Sequence, residues 1–228
     1  YQCRNFLFSS SATIYGNKNI NAKFKESSEI KPVNAYGDTK EAIEKILYRI
    51  SNTSNSKWKI AVLRYFNPIG AHPSGMLGDS PTGNATNILP IINKVAAGHK
   101  KKLEIYGNDW QTIDGTGVRD YIHVMDIADG HIKTLEYILN ISSNFLTFNL
   151  GTGKGISVLE LIKTFENVNN VLVPYEFISR RKGDVAFSVA DNALASSKLK
   201  WIPTRDLKKM CKDSWNWYLK NQDIYKKN

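Results

Sequence analysis

The sequence predicts an α/β protein with a mainly parallel sheet, on three observations. Strand-like and helix-like segments alternate along the chain instead of segregating. Residues 60–66 form an apolar run broken only by Arg64, the pattern of a strand buried on both faces. Ser9-Ser10-Ser11 closes a short apolar strand, and in doubly wound sheets ligands bind outside the carboxyl ends of strands.

Residues 5–9 read as a buried strand running into a serine-rich turn, with a polar loop to about Pro32. The segment 36–50 reads as a helix, because Ile43, Ile46, Leu47 and Ile50 recur at helical spacing. The strand at 60–66 stops at Asn67-Pro68-Ile69-Gly70, and 71–85 is a loop without periodicity. A helix over 87–97 tolerates Pro90 in its first turn and is stopped by Gly98. A small strand at 103–106, a helix at 126–139 and a strand at 147–150 follow. Ser157 with Glu160 forms a capping box opening a helix to about Phe165. A strand at 175–178 precedes two helices, one capped by Asp191 and ending at Leu199, the other capped by Asp206 and ending at Lys220. Lys226-Lys227-Asn228 is expected to fray.

The chain has 228 residues, a formal charge of +10, 42% hydrophobic and 23% charged residues, which excludes global disorder and a disulfide-stapled miniprotein. Lysine supplies 24 of the 31 cations, scattered apart from Lys100-Lys101-Lys102 and the last helix, so a solvated basic face is preferred to a nucleic-acid footprint. No run of about 18 apolar residues suggests a membrane span. Cys3 and Cys211 match no metal or redox spacing, and reduced thiols in the cytoplasm are the expectation. His123 and His131 read as structural, and nothing suggests a metal site. Trp201, Trp215, Trp217 and Tyr218 read as helix packing.

Tyr36 and Lys40 stand four apart, one turn along one helical face. An ammonium beside a phenol favours the phenolate, and a phenol so tuned can take a proton from an alcohol near neutral pH. Against this stands the plainer reading of an aromatic packed on a lysine stem. Gly151-Thr152-Gly153-Lys154-Gly155 lies between a strand and a helix but lacks the spacing of either nucleotide-binding glycine loop, so it receives no dinucleotide role.

The stretches FLFSSSATIYG, AYGDTK, LRYFNPIGAHPSG, GTGVRDYIHVMDIADGH and RRKGD, in this order, resemble the extended short-chain dehydrogenase/reductase family and, within it, the UDP-glucose 4-epimerases. The resemblance implies an NAD(P)-binding Rossmann-like doubly wound parallel sheet, of which only the second half is present, with a smaller α/β substrate-binding domain. The expected division is 1–72 for the Rossmann part and 73–228 mainly for the UDP-sugar domain, with segments near 120–150 returning to the first. It implies interconversion of UDP-galactose and UDP-glucose through a 4-keto sugar, with NAD as a tightly held cofactor. Catalytic roles fall on Ser11, Tyr36 and Lys40. Cofactor contacts fall on Ser9, Ser10, Tyr36, Lys40, Tyr65, Phe66 and Pro68. Substrate contacts fall on Ser11, Tyr36, Asn67, Asn87, Ile88, Tyr106, Arg119, Arg181, Asp184 and Ser188. Arg119 and Arg181 bind the diphosphate in this scheme, Asp184 a ribose, and Tyr106 lies beside the uracil. A small residue at Ser188 implies room for N-acetylated UDP-hexosamines.

The resemblance also implies a homodimer through helices of the cofactor domain, one of them the helix after Tyr36; whether Ile43, Ile46 and Leu47 face a core or a partner is open at this level. Tyr1 falls near the middle of the family's cofactor domain, so the glycine-rich fingerprint is expected upstream. These 228 residues alone are expected to be inactive and poorly soluble, with an unpaired sheet edge. A dehydratase is disfavoured because Ala12 and Thr13 stand where elimination calls for acids. A non-catalytic binding protein of the same fold is the reading from a different class.

Overall fold

The structure, a computed structural model, describes residues 3–17, 22–81 and 85–222. Tyr1 and the tail Lys226-Lys227-Asn228 lie outside the described residues. The elements run β1 (Asn5–Ser11), α1 (Ala35–Ser51), β2 (Lys59–Tyr65), β3 (Asn67–Ile69), α2 (Ile88–Ala96), β4 (Leu103–Tyr106), β5 (Val118–Arg119), β6 (Tyr121–His123) and α3 (Val124–Leu139). They continue with β7 (Phe145–Leu150), β8 (Ile156–Ser157), α4 (Val158–Asn169), β9 (Tyr175–Ile178), β10 (Phe187–Ser188), α5 (Ala193–Leu199) and α6 (Leu207–Lys220).

The main sheet has the order β1-β2-β7 and is wholly parallel, with Asn5 opposite Lys59 and Ile60 opposite Phe145. Ala61, Val62 and Leu63 are fully buried at its centre, as their apolar run requires. Three smaller sheets, β10-β5-β8, β3-β6 and β4-β9, contain one antiparallel pair, β5 with β8. One apolar cluster lies between the main sheet, α3 and α5, around Leu63, Phe148, Leu150 and Trp201. A larger one joins α2, α4 and α6 to β4 through Ile92, Leu103, Phe165 and Met210.

Local chemistry sets the helix starts. Asn34 accepts from Gly37 N at 2.9 Å and opens α1, and Ser157 accepts from Glu160 N at 3.0 Å and opens α4. The α3 helix begins two residues before its expected start because the His123 ring accepts from Met125 N. Asn192, not Asp191, holds the cap position of α5, although the Asp191 carboxylate still accepts from Ala193 N at 3.0 Å. Strands of two or three residues, β3, β5, β6, β8 and β10, are too short to carry a period.

Two expectations need correction, and a question left open by the sequence is answered. The serines do not form a turn: β1 stays extended through Ser11, and a 3-10 turn at Ala12–Tyr15 follows. The loop before Pro32 is anchored by Phe24, buried and stacked on Tyr15 at 4.9 Å. The apolar stripe that predicted α1 does not face the sheet, since Ile46 is 56% exposed and Ile43 and Ile50 are exposed too. The buried residues of α1 are Gly37, Glu44 and Ser51.

Candidate active site

The first group gathers at the carboxyl ends of β1 and β2. A Cβ on Gly37 would meet Thr13 O and the Pro32 ring at 2.8 Å, so the missing side chain seats α1 against the turn after Ser11. Tyr36 stands beside that seat and is 55% exposed. Lys40 lies one turn on, with Nζ 5.4 Å from the Tyr36 ring centre and donating to Ser9 O at 2.9 Å. Ser11 Oγ accepts from Thr13 N and from the Thr13 hydroxyl. Ser10 is buried and donates to Glu44, so only its backbone is left to face a cofactor.

Tyr65 Oη lies 2.8 Å from Ser9 Oγ and 2.5 Å from His131 Nε2. His131 Nδ1 faces the Ile127 carbonyl, which can only accept, so in the neutral ring Nε2 is the acceptor and Tyr65 donates to it. Burial pushes the Tyr65 phenol above its ordinary range; the Ser9 hydrogen bond opposes this and neighbouring Tyr36 adds to it. Phe66 is buried against Tyr15, and Pro68 is exposed.

The second group lines a cleft of about 240 Å³ between α2, β4 and the segment after β9. Asn67, Asn87, Ile88 and Tyr106 form its walls together with Arg119, Arg181 and Asp184. Five separate stretches of sequence thus converge on one cleft. Arg119 donates to Val118 O at 2.9 Å and to the Asp184 carboxylate, and its guanidinium folds back over Gly117. The Arg181 guanidinium lies 4.3 Å from the Tyr106 ring centre, a cation–π contact. Asn87 opens α2 without a side-chain cap and donates to Asp79 at 3.0 Å, leaving the first-turn amides uncapped by it. Adjacent Arg180 is spent elsewhere, on Asp109 and the Trp110 ring. Ser188 does not line this cleft; it sits opposite Arg119 on β10, and its carbonyl accepts from Asp120 N.

The glycine-rich segment 151–155 proves to be an internal anion nest. The buried Asp120 carboxylate accepts from Thr152 N, the Thr152 hydroxyl, Gly153 N and Ala190 N, at 2.6–3.1 Å. A protein carboxylate fills the place a phosphate would take. His72 likewise has a local task, meeting Ser74 at 2.7 Å within its turn.

Sequence reasoning gave Glu44 and Arg64 no role at the site and read His131 as structural only. Arg64 had a visible signal, a lone charge in an apolar strand, which demands a buried counter-charge. Its partner is Glu44, at 2.6 Å.

The parallel sheet, with a hydroxyl, a phenol and an ammonium at its strand ends, is a Rossmann-type α/β architecture. A family profile described as GDP-mannose 4,6 dehydratase matches residues 1–214, and the chain belongs to that family, within the extended short-chain dehydrogenase/reductases. It is 48% identical over 226 residues to the UDP-glucose 4-epimerase of Bacillus subtilis, covering 99% of this chain and 66% of that protein. It superposes on the UDP-glucose 4-epimerase of Stenotrophomonas maltophila, solved with NAD and formylated UDP-arabinopyranose, with a TM-score of 0.91 at 42% identity, covering 96% of this chain and 65% of that one. The Bifidobacterium longum UDP-glucose 4-epimerase, solved with NAD+ and UDP, gives 0.90 at 41% identity, with coverages of 97% and 65%. The chain thus spans just under two thirds of the length of these relatives.

Proposed function

We propose that the whole protein is an NAD-dependent UDP-glucose 4-epimerase interconverting UDP-galactose and UDP-glucose. One observation carries the reading: the Tyr36–Lys40 stripe stands on the Ser9–Ser10–Ser11 strand end, and a cleft lined from Asn67, two residues beyond β2, holds two arginines, two amides and an aromatic. The donor set fits the cofactor, because an ammonium and two hydroxyls at Lys40, Ser9 and Tyr65 suit the ribose and carboxamide of a nicotinamide nucleoside. When bound, NAD supplies a reversible hydride acceptor for sugar C4.

The chain's residues do the rest. Tyr36 takes the O4 proton and returns it, Lys40, one turn on, holds the nicotinamide ribose, and Ser11 holds O4. Arg119 and Arg181 bind the diphosphate by charge-assisted hydrogen bonds, with Asn67 and Asn87 beside them, and Asp184 accepts from a ribose hydroxyl. Anchoring at the diphosphate leaves the sugar free to present either face of C4. Among the described residues, dehydration lacks an acid beside Ser11: Ala12 is apolar, Thr13 bonds Ser11, and Glu44 is tied to Arg64.

The division at about residue 72, a homodimer, a cytoplasmic setting and the absence of a nucleic-acid partner belong to the same proposal. Two free thiols and the exposed stripe of α1 support it, and no helix among the described residues is long and apolar enough to cross a membrane. The test is conversion of UDP-galactose to UDP-glucose by the full-length protein, with Tyr36→Phe reducing kcat by at least 10³-fold. Substantial turnover in that variant would sink the mechanism. Ser188 extends the proposal to UDP-N-acetylglucosamine, with Ser188→Tyr expected to remove that activity and keep the one on UDP-galactose. Equal loss of both would show that Ser188 does not set the choice.

A further inference from the structure

We propose that the buried Glu44–Arg64 pair is a positioning device that sets the angle of α1, and with it Tyr36 and Lys40, against the end of β1. The proposal rests on the epimerase reading only for what the positioned groups do.

Most helices are held on a sheet by an apolar stripe. Here that stripe points outward, so burial of Ile43, Ile46 and Ile50 does not fix α1 on its sheet. The inward seam is polar. Tyr36, Lys40 and Glu44 follow one another at intervals of four, on one helical face. Lys40 donates to Ser9 O, and Glu44 accepts from Ser10 Oγ. Successive residues of the stripe therefore grip successive residues of the strand whose next member is Ser11.

Glu44 in turn meets Arg64 by a two-pronged contact, Nε to Oε1 at 3.1 Å and a terminal nitrogen to Oε2 at 2.6 Å. Such a fork fixes orientation as well as distance. The other terminal nitrogen of Arg64 donates to Tyr15 Oη at 2.9 Å and Glu26 O at 3.0 Å. Tyr15 donates to Asn149 Oδ1 at 2.6 Å, and Asn149 N donates to the Glu26 carboxylate at 2.8 Å. Arg64 is thereby braced by β2, β7, the turn after β1 and the loop before α1. Well-packed apolar side chains would serve stability as well as a buried ion pair. The two-pronged charged contact adds a directional constraint on the rotation of α1 about its axis, which Tyr36 needs in order to meet an alcohol proton.

The test uses the full-length, NAD-loaded protein. Glu44→Asp keeps the charge and shortens its reach, and Glu44→Gln combined with Arg64→Gln removes both charges without leaving one unpaired. Both are expected to keep the wild-type melting temperature within a few degrees and KM for UDP-galactose within about twofold, with kcat at least tenfold lower. Release of Lys40 is read without turnover, as an increase of about fivefold or more in its acylation relative to the surface lysines, by mass spectrometry. If the wild-type protein turns over no UDP-hexose, the epimerase reading fails while Lys40 acylation still decides the role of Glu44. A folded variant with kcat within twofold of wild type, or with unchanged Lys40 acylation, overturns the proposal. Loss of folding in both variants overturns it too, since the pair would then be an element of stability.

Discussion

Asp120 shows how far one buried side chain can settle a question that a motif raises. Its carboxylate accepts four hydrogen bonds from Thr152, Gly153 and Ala190, while burial pushes its pKa up from the ordinary carboxylate range. The amide of Asp120→Asn would turn two N–H groups toward donors it cannot satisfy. A loss on the order of 3 kcal/mol in denaturant unfolding is expected, a large share of a domain's stability. A loss below about 0.5 kcal/mol would show that the nest accepts an amide. Arg119 and Asp184 make a second lesson at this scale. Each was assigned a ligand contact by resemblance, and here each partners the other, so on the proposed reading a diphosphate would compete with an existing ion pair instead of meeting a bare cation.

The instructive element is α1. Its existence and length were legible, because Ile43, Ile46, Leu47 and Ile50 recur at 3.6-residue spacing. Its orientation was not, because periodicity reports that a stripe exists and not what covers it. The stripe is exposed, and the face toward the sheet carries Gly37, Lys40 and Glu44. An exposed apolar stripe on an otherwise polar helix suits burial against a second copy. Ile46→Glu would place a charge at its centre. If the proposed dimer forms through this stripe, sedimentation should show a dimer for the wild type and a monomer for the variant, with unchanged far-UV circular dichroism. Persistence of the dimer would move the interface elsewhere.

For the molecule as a whole, a buried imidazole makes one contribution to the pH dependence of stability. His123 lies between β6 and α6, its Nε2 3.2 Å from an Asp213 carboxylate oxygen. Burial holds its pKa below the ordinary 6.5, the Asp213 contact opposing. The unfolded chain therefore takes up a proton at a pH where the fold does not. This contribution is fully present above about pH 6.5, is lost as pH falls below it, and levels off beneath the folded pKa. Unfolding free energy should fall by up to about 1.4 kcal/mol per pH unit in that window. His123→Gln should flatten the slope, and an unchanged slope would assign the acid sensitivity to other groups.

The sequence by itself determined the class of fold and the order of the long elements, while the candidate site residues rested on the resemblance of its motifs. Fold class and element order depend on local periodicity, capping chemistry and side-chain type, all written within a few residues of each other. Only the tertiary structure decided which way α1 faces, that segment 151–155 is filled from within, and that Arg64 is answered by Glu44. Each of these is a pairing between groups distant along the chain. Their energy comes from excluding water around a charge or a methyl group, and no local window of sequence says which distant segment does the excluding.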